Sequence, residues 1–409
     1  NLMKKINLLN ISLYFVCCIT LLISFYFNED GSYTPLSGDF RDTWPYILNL
    51  KENILSDPTG YTVHYPLHYI LVSKLNFIIT DPTGVRFFVM IIAMLIPYIF
   101  FVSLNKKFND KSKNALFLIC LSIFFIPAYR YSSIWANDRI TTDIFILIGT
   151  YFFFSFETSK KEIKNLYFCL LFFALACYSR QFYTVYYALF LIYIFKICNF
   201  KNFFYLSVYS LLLSLPGFYL LLKFPYFYSG LAYSGNIFNT LLGNVSSLFV
   251  YTIPIVLINF FLVKKNFPEL KKISIYLLIS LIVFSISYFF HNTNTMGQNG
   301  GSFFIFSRLI FNNYLAFYLI FILNFLIILI IFETYFDRVI VFSFVFIFCA
   351  IIVPQSVFEP LFFLYFFLYS QSKFKNIFLE NSKASYLLFS YYIFYYFVSK
   401  TDVLYKITF

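Results

Sequence analysis

The chemistry this chain can perform is announced by its arginines. There are seven in 409 residues. Six of them (Arg41, Arg86, Arg130, Arg139, Arg180 and Arg308) stand at the ends of apolar runs or in the loops between them. A guanidinium is a planar fork that grips a phosphate or carboxylate through two parallel hydrogen bonds. Asp39 and Asp42 sit close to Arg41 in an acid-bearing stretch that also holds Glu29, Asp30, Glu52 and Asp57. A carboxylate beside a bound phosphate can take the proton of an attacking hydroxyl, while the cations stabilise the departing phosphate. His64 and His68 flank Pro66, with Tyr65 between them, and no third ligand stands at metal spacing. They read as phosphate or acceptor contacts or as packing residues, so neither a metal nor another cofactor is expected.

These residues sit in a chain of unusual composition. Apolar residues make up 61%, charged residues only 12%, and mean hydropathy is +0.77. A soluble domain carries about 25% charged residues, so a soluble enzyme, a secreted disulfide scaffold and a disordered chain are excluded. The net charge of +12 belongs to cytoplasmic loops of a membrane protein, and no nucleic-acid partner is expected. The seven cysteines lie inside apolar runs and read as packing residues. Phe and Tyr are abundant and Lys outnumbers Arg, as a coding bias would produce, so aromatic abundance carries no argument for sugar binding.

Apolar runs bounded by charge, Gly or Pro predict spans near 6–27, 84–105, 113–129, 139–156, 166–179, 183–200, 203–222, 237–263, 273–290, 309–332, 338–353, 356–372 and 384–398. The expected fold is an all-α, polytopic transmembrane bundle of about 11–13 spans, one domain over 1–409. Lys4 and Lys5 put the first end in the cytoplasm, and alternation brings 18 of the 23 lysines to that side. The first span has no small-residue cleavage site and is expected to stay. Two loops are then external, 28–83 and 291–308. Within the first, 41–55 and 66–79 read as helices lying at the outer membrane interface. The six arginines, all three histidines and both tryptophans also fall on the outer side, leaving Arg338 inside. Cations that disobey the inside rule at helix mouths imply a shared local anion.

At this point the chain resembles the GT-C glycosyltransferases, and distantly the dolichyl-phosphate-glucose α-1,2-glucosyltransferase family. The resemblance rests on DTWPYILNL from Asp42, on SDPTGYTVHYPLHY around Asp57 and Pro66, on SRQFY with Arg180-Gln181, and on NGGSFFIFSR from Asn299 to Arg308. Thr43, Phe182-Tyr183 and Gly300-Gly301 depart from the family's pattern. The resemblance implies a multi-spanning enzyme that takes a polyprenyl-linked sugar, of the undecaprenyl phosphate type in a bacterial inner membrane. It would pass that sugar at the outer face to a lipid-linked or surface glycan acceptor.

In that frame Asp42 is the first choice for general base and Asp39 the second. Arg180, Arg308 and Arg139 are candidates for the lipid phosphate; Gln181, His64, His68, Tyr65 and Asn299 are candidates for substrate contact. Asp57 reads as a turn residue, Glu359 as a possible second acid, and Asp138–Arg139 as a salt bridge. Two rival functions stand beside this one. A surface-polysaccharide polymerase of O-antigen or capsule type would use undecaprenyl diphosphate-linked oligosaccharides. A lipid-linked-glycan flippase would need charged or broken helices at the midplane.

Overall fold

The computed structural model describes residues 6–29, 38–158, 161–181, 183–229, 236–263, 267–291, 307–308, 310–347 and 359–400. Every regular element among them is helical. Contacts group the chain into two compact units, one formed by Asn1–Lys113 with Tyr129–Leu231, the other by Asn114–Ala128 with Ala232–Phe409.

The first unit begins with α1 (Leu8–Tyr26), whose start is fixed by the Asn7 side chain accepting from Leu9 N at 3.3 Å. Two shorter helices follow, α2 (Gly38–Glu52) and α3 (Leu67–Leu75). Phe40, Thr43, Trp44, Ile47 and Leu50 of α2 recur at helical spacing and are buried, while Asp39, Arg41, Asp42, Leu48 and Asn49 are exposed. Asp81 caps α4 (Pro82–Met94) through Gly84 N at 2.8 Å. A break at Leu95, just before Pro97, separates α4 from α5 (Ile96–Lys107). After α6 (Lys113–Leu121) of the second unit, α7 (Pro127–Ile134) leads into α8 (Asp138–Thr158). Then come α9 (Lys164–Ser179), α10 (Tyr183–Ile197), α11 (Phe200–Lys223) and α12 (Tyr226–Ser229).

The axis of this unit is the pair α8 and α9. At Gly149 a Cβ would lie 2.8 Å from the Phe173 ring and 3.2 Å from Cys169 O, so only glycine admits the approach. The 21 residues of α8 reach about 31 Å, the thickness of a bilayer core. The two ends differ in charge. Lys107 Nζ lies 4.7 Å from the centre of the Phe154 ring, near the Thr158 end, and Lys164 opens α9 at the same end. The Asp138 end carries the acids, arginines and histidines described below.

The second unit holds α13 (Ile237–Leu262), α14 (Leu270–Phe290), α15 (Leu315–Ile331), α16 (Tyr335–Ile347), α17 (Glu359–Leu368), α18 (Asn376–Glu380) and α19 (Ser382–Lys400). Several of its buried polar groups are satisfied by neighbours. Asn324 accepts from Thr252 and donates to Val245 O, and Asn244 donates to Val345 O at 3.1 Å. Asp337 accepts from Tyr365 Oη at 2.6 Å and Gln371 N at 2.9 Å. Such bonds are the glue of helices in lipid, where water cannot substitute.

Six described helical stretches are long and apolar enough to cross a membrane: Leu8–Tyr26, Pro82–Lys107 (α4 and α5 together), Asp138–Thr158, Phe200–Lys223, Ile237–Leu262 and Leu270–Phe290. A seventh is added if the broken pair Lys113–Phe125 and Pro127–Ile134 counts as one span. The all-helical architecture expected from the sequence is thus present, with six or seven of the expected spans of full length among the described residues. The helices at 166–179, 183–200 and 309–332 have 16, 15 and 17 residues, and 13 and 10 helical residues are described within 338–353 and 356–372. A straight crossing needs about 20. Hydropathy there records burial inside the protein as much as contact with lipid.

Candidate active site at the Asp138 end of α8

The connection from α7 to α8 builds the site. Ala136 takes a left-handed conformation, φ 46°, unusual for a residue with a Cβ. It is held there by His68, whose Nε2 donates to Ala136 O at 2.8 Å while Nδ1 lies 2.8 Å from Thr141 Oγ1. The turn sends Asn137, Asp138 and Arg139 into the first turn of α8. Asp138 and Arg139 are both buried.

Across from them, α9 ends at Ser179 and Arg180 continues the chain in extended geometry. Its Nε lies 3.0 Å from Asp138 Oδ1 and 3.1 Å from Oδ2, and its Nη2 is 3.2 Å from His64 Nε2. The guanidinium must donate to His64, so Nε2 is the accepting nitrogen and the neutral ring carries its proton on Nδ1. Burial pushes the His64 pKa down to about 4, against the pull of Asp138, and Arg180 and Arg139 push it the same way. Gln181 then ties this region to the first loop. Its Nε2 donates to Val63 O, and its Oε1 accepts from Tyr65 N at 3.2 Å. Tyr65 itself faces away from the cluster, donating to Gly217 O at 3.3 Å and stacking on Tyr178.

The rim is supplied by α2. Asp39 Oδ2 accepts from Asn137 Nδ2 at 3.2 Å, and Asp39 N donates to Tyr131 Oη at 3.3 Å. Asp39 is open to solvent on one side. The protein mass on its other side raises its carboxyl above the usual range, Arg139 pulls it back, and Asp138 adds to the rise. Asp42 is placed differently. It is exposed and pairs with its neighbour Arg41, Nε to Oδ1 at 3.0 Å. Because α2 begins at Gly38 and not at the expected 41, Asp42 lies in its second turn.

The arginines do not all converge. Arg86 donates to Ile134 O and Asn28 Oδ1, both at 3.0 Å, with its guanidinium carbon 3.7 Å from the Trp135 ring. Arg130 donates to Thr20 O at 2.9 Å and to Ser24 Oγ, with Glu29 Oε2 at 3.8 Å. Both are therefore structural ties among α1, α4 and α7, and their inclusion in one shared anion site is corrected. Only Arg139 and Arg180 belong to the buried cluster. Arg308 is exposed in the second unit, and Asn299 lies outside the described residues. Glu359 opens α17.

One member had no counterpart in the expectations. Asp143, one turn deeper in α8 than Arg139, is 1% exposed, and neither carboxylate oxygen has a hydrogen-bond partner. Its signal was present in the sequence as an acid inside a predicted span, a functional mark by default. Span interiors are thus not free of charge. Among the described residues no group of acids, histidines and cysteines could hold a metal ion.

No protein-family model, curated protein or solved structure matches this chain.

Proposed function

We propose that this chain is a membrane glycosyltransferase. It moves a sugar from a polyprenyl-linked donor, of the undecaprenyl phosphate type, to a lipid-linked or surface glycan acceptor. The observation that carries the reading is the cluster of Asp39, Arg139, Arg180, Asp138 and His64 at the end of α8 opposite the lysines. With the lysine end in the cytoplasm, the cluster faces the outer side of a bacterial inner membrane.

In this reading Asp138 and His64 hold Arg180 rigid, and Arg139 meets the donor phosphate. Asp39, with its raised pKa, takes the acceptor's proton. The acceptor oxygen bonds to the anomeric carbon, the carbon–phosphate oxygen bond breaks, and the phosphate departs on its lipid. Two cavities of the first unit support the assignment. An apolar one of about 160 Å³, lined by Ala174, Tyr178, Tyr187, Leu213, Phe218 and Leu221, has the chemistry of prenyl units. A polar one of about 510 Å³, lined by Asn49, Glu52, Asn53, Asp57 and Tyr61, has no cation in its lining and suits glycan hydroxyls.

The test is incubation of the purified protein with polyprenyl monophosphate-linked sugars and, separately, diphosphate-linked oligosaccharides. Transfer from the monophosphate donor, lost in Asp39→Asn, is the expected result. Polymerisation of the diphosphate donor alone would make the chain a polysaccharide polymerase. Donor movement across a vesicle without transfer would make it a flippase.

A further inference from the structure

Asp143 is a carboxylate inside a membrane-spanning helix with no hydrogen-bond partner for either oxygen and 1% of its surface exposed. An isolated charge in such surroundings is strongly disfavoured, and a buried polar group without a partner calls for an explanation. Arg139 lies four residues earlier, on the same face of α8. The other charged or titratable groups around Asp143 are Asp138 on its own helix, Arg180 and Tyr183 at the α9–α10 turn, and Tyr129 on α7. Tyr129 already donates to Ala93 O at 2.5 Å.

The ligand follows by exclusion. Two arginines in the neighbourhood oppose a metal cation, and the closed surroundings leave no opening for a hydrated ion. An anion would meet Asp138 as well as Asp143. A proton needs no room, cancels the charge and turns the carboxyl into a donor.

We propose that Asp143 is a proton-binding site that controls Arg139. Protonated, it leaves Arg139 to an anionic ligand at the rim. Ionised, it holds Arg139 down along the helix face. The coupling to an anionic ligand rests on the phosphate role given to Arg139 above; the proton site does not. Asp143 is here a positioning residue, acting through Arg139 without touching the substrate.

Two measurements on the full chain in phospholipid nanodiscs test this. The first is infrared difference spectroscopy across pH. It should show a buried carboxylic C=O band that titrates in the wild type and is missing in Asp143→Asn. Absence of the band, or its persistence in that variant, would overturn the proton site. The second is binding of undecaprenyl phosphate across the same pH range. Wild-type affinity should fall by roughly tenfold or more as the band disappears, whereas Asp143→Asn, fixed neutral, should bind at the low-pH affinity throughout. Parallel profiles for the two proteins would overturn the control of Arg139. Should Asp143→Asn fail to fold, Asp143→Thr supplies the same comparison. Failure of the glycosyltransferase reading would appear separately, as absence of sugar transfer with the band unchanged.

Discussion

Arg180 Nε stands almost equidistant from the two carboxylate oxygens of Asp138, at 3.0 and 3.1 Å, with the aspartate fully buried and the arginine side chain 4% exposed. Removing one partner of a buried pair leaves the other uncompensated, at a cost of about 3–5 kcal/mol. Asp138→Ala and Arg180→Ala should each lower the unfolding midpoint in detergent by several degrees. The double variant should recover part of that loss. Additive effects in this double-mutant cycle would show that the pair is not coupled.

Activity should depend on Asp39 through an acid limb. The carboxyl must be ionised to act as base, so turnover should rise with pH through a pKa above that of a free aspartate, about 3.9. Asp39→Asn should lower turnover by roughly 10²-fold or more with donor binding intact. Arg139 holds this pKa down, so Arg139→Gln should move the acid limb to higher pH. Asp42→Asn should change little, since Asp42 pairs with Arg41 in solvent. A full loss in Asp42→Asn, with Asp39→Asn active, would reverse the roles.

His64 gives the first unit an acid sensitivity. Its folded pKa, about 4, lies below the ordinary value of 6.5 because burial penalises the charged ring. The unfolded chain therefore binds the proton first. Stability due to His64 is intact above about pH 6.5 and is lost as pH falls from there toward 4. Thermal unfolding of wild type and His64→Gln between pH 7.5 and 4 checks this. The gap between them should narrow on acidification, and a constant gap would deny the burial argument.

Arg86 and Arg130 should behave as structure and not as chemistry. Arg86→Lys loses the fork that reaches Ile134 O and Asn28 together, and the contact with the Trp135 ring. Lower thermal stability with unchanged KM is expected. A raised KM without loss of stability would return Arg86 to the substrate site.

What the sequence made legible follows from what each signal depends on. Helical periodicity and apolar run length are local, so the helices fell near their expected places, including the two between α1 and α4. The count of spans is not local. Whether Leu315–Ile331 faces lipid or protein depends on what packs against it, and its apolar composition serves both. The pairing of arginines is likewise a tertiary fact. Arg86 and Arg180 look alike as single cations at the edges of apolar runs, yet one ends on a carbonyl and the other on a carboxylate. Asp143 is legible in the sequence as an acid within a predicted span, but its lack of a partner is a tertiary fact.

The tie from Gln181 to Val63 and Tyr65 has a consequence for how the protein is made. The residues it joins are 116 positions apart. At a synthesis rate of about 5–20 residues per second, the loop leaves the ribosome roughly 6 to 23 seconds before its anchor exists. Throughout that interval His64 lacks Arg180, and for much of it Asp39 lacks Asn137, so the loop waits unanchored. The site therefore closes only once the turn between α9 and α10 has been made, so the last-made of its parts is the one that completes it.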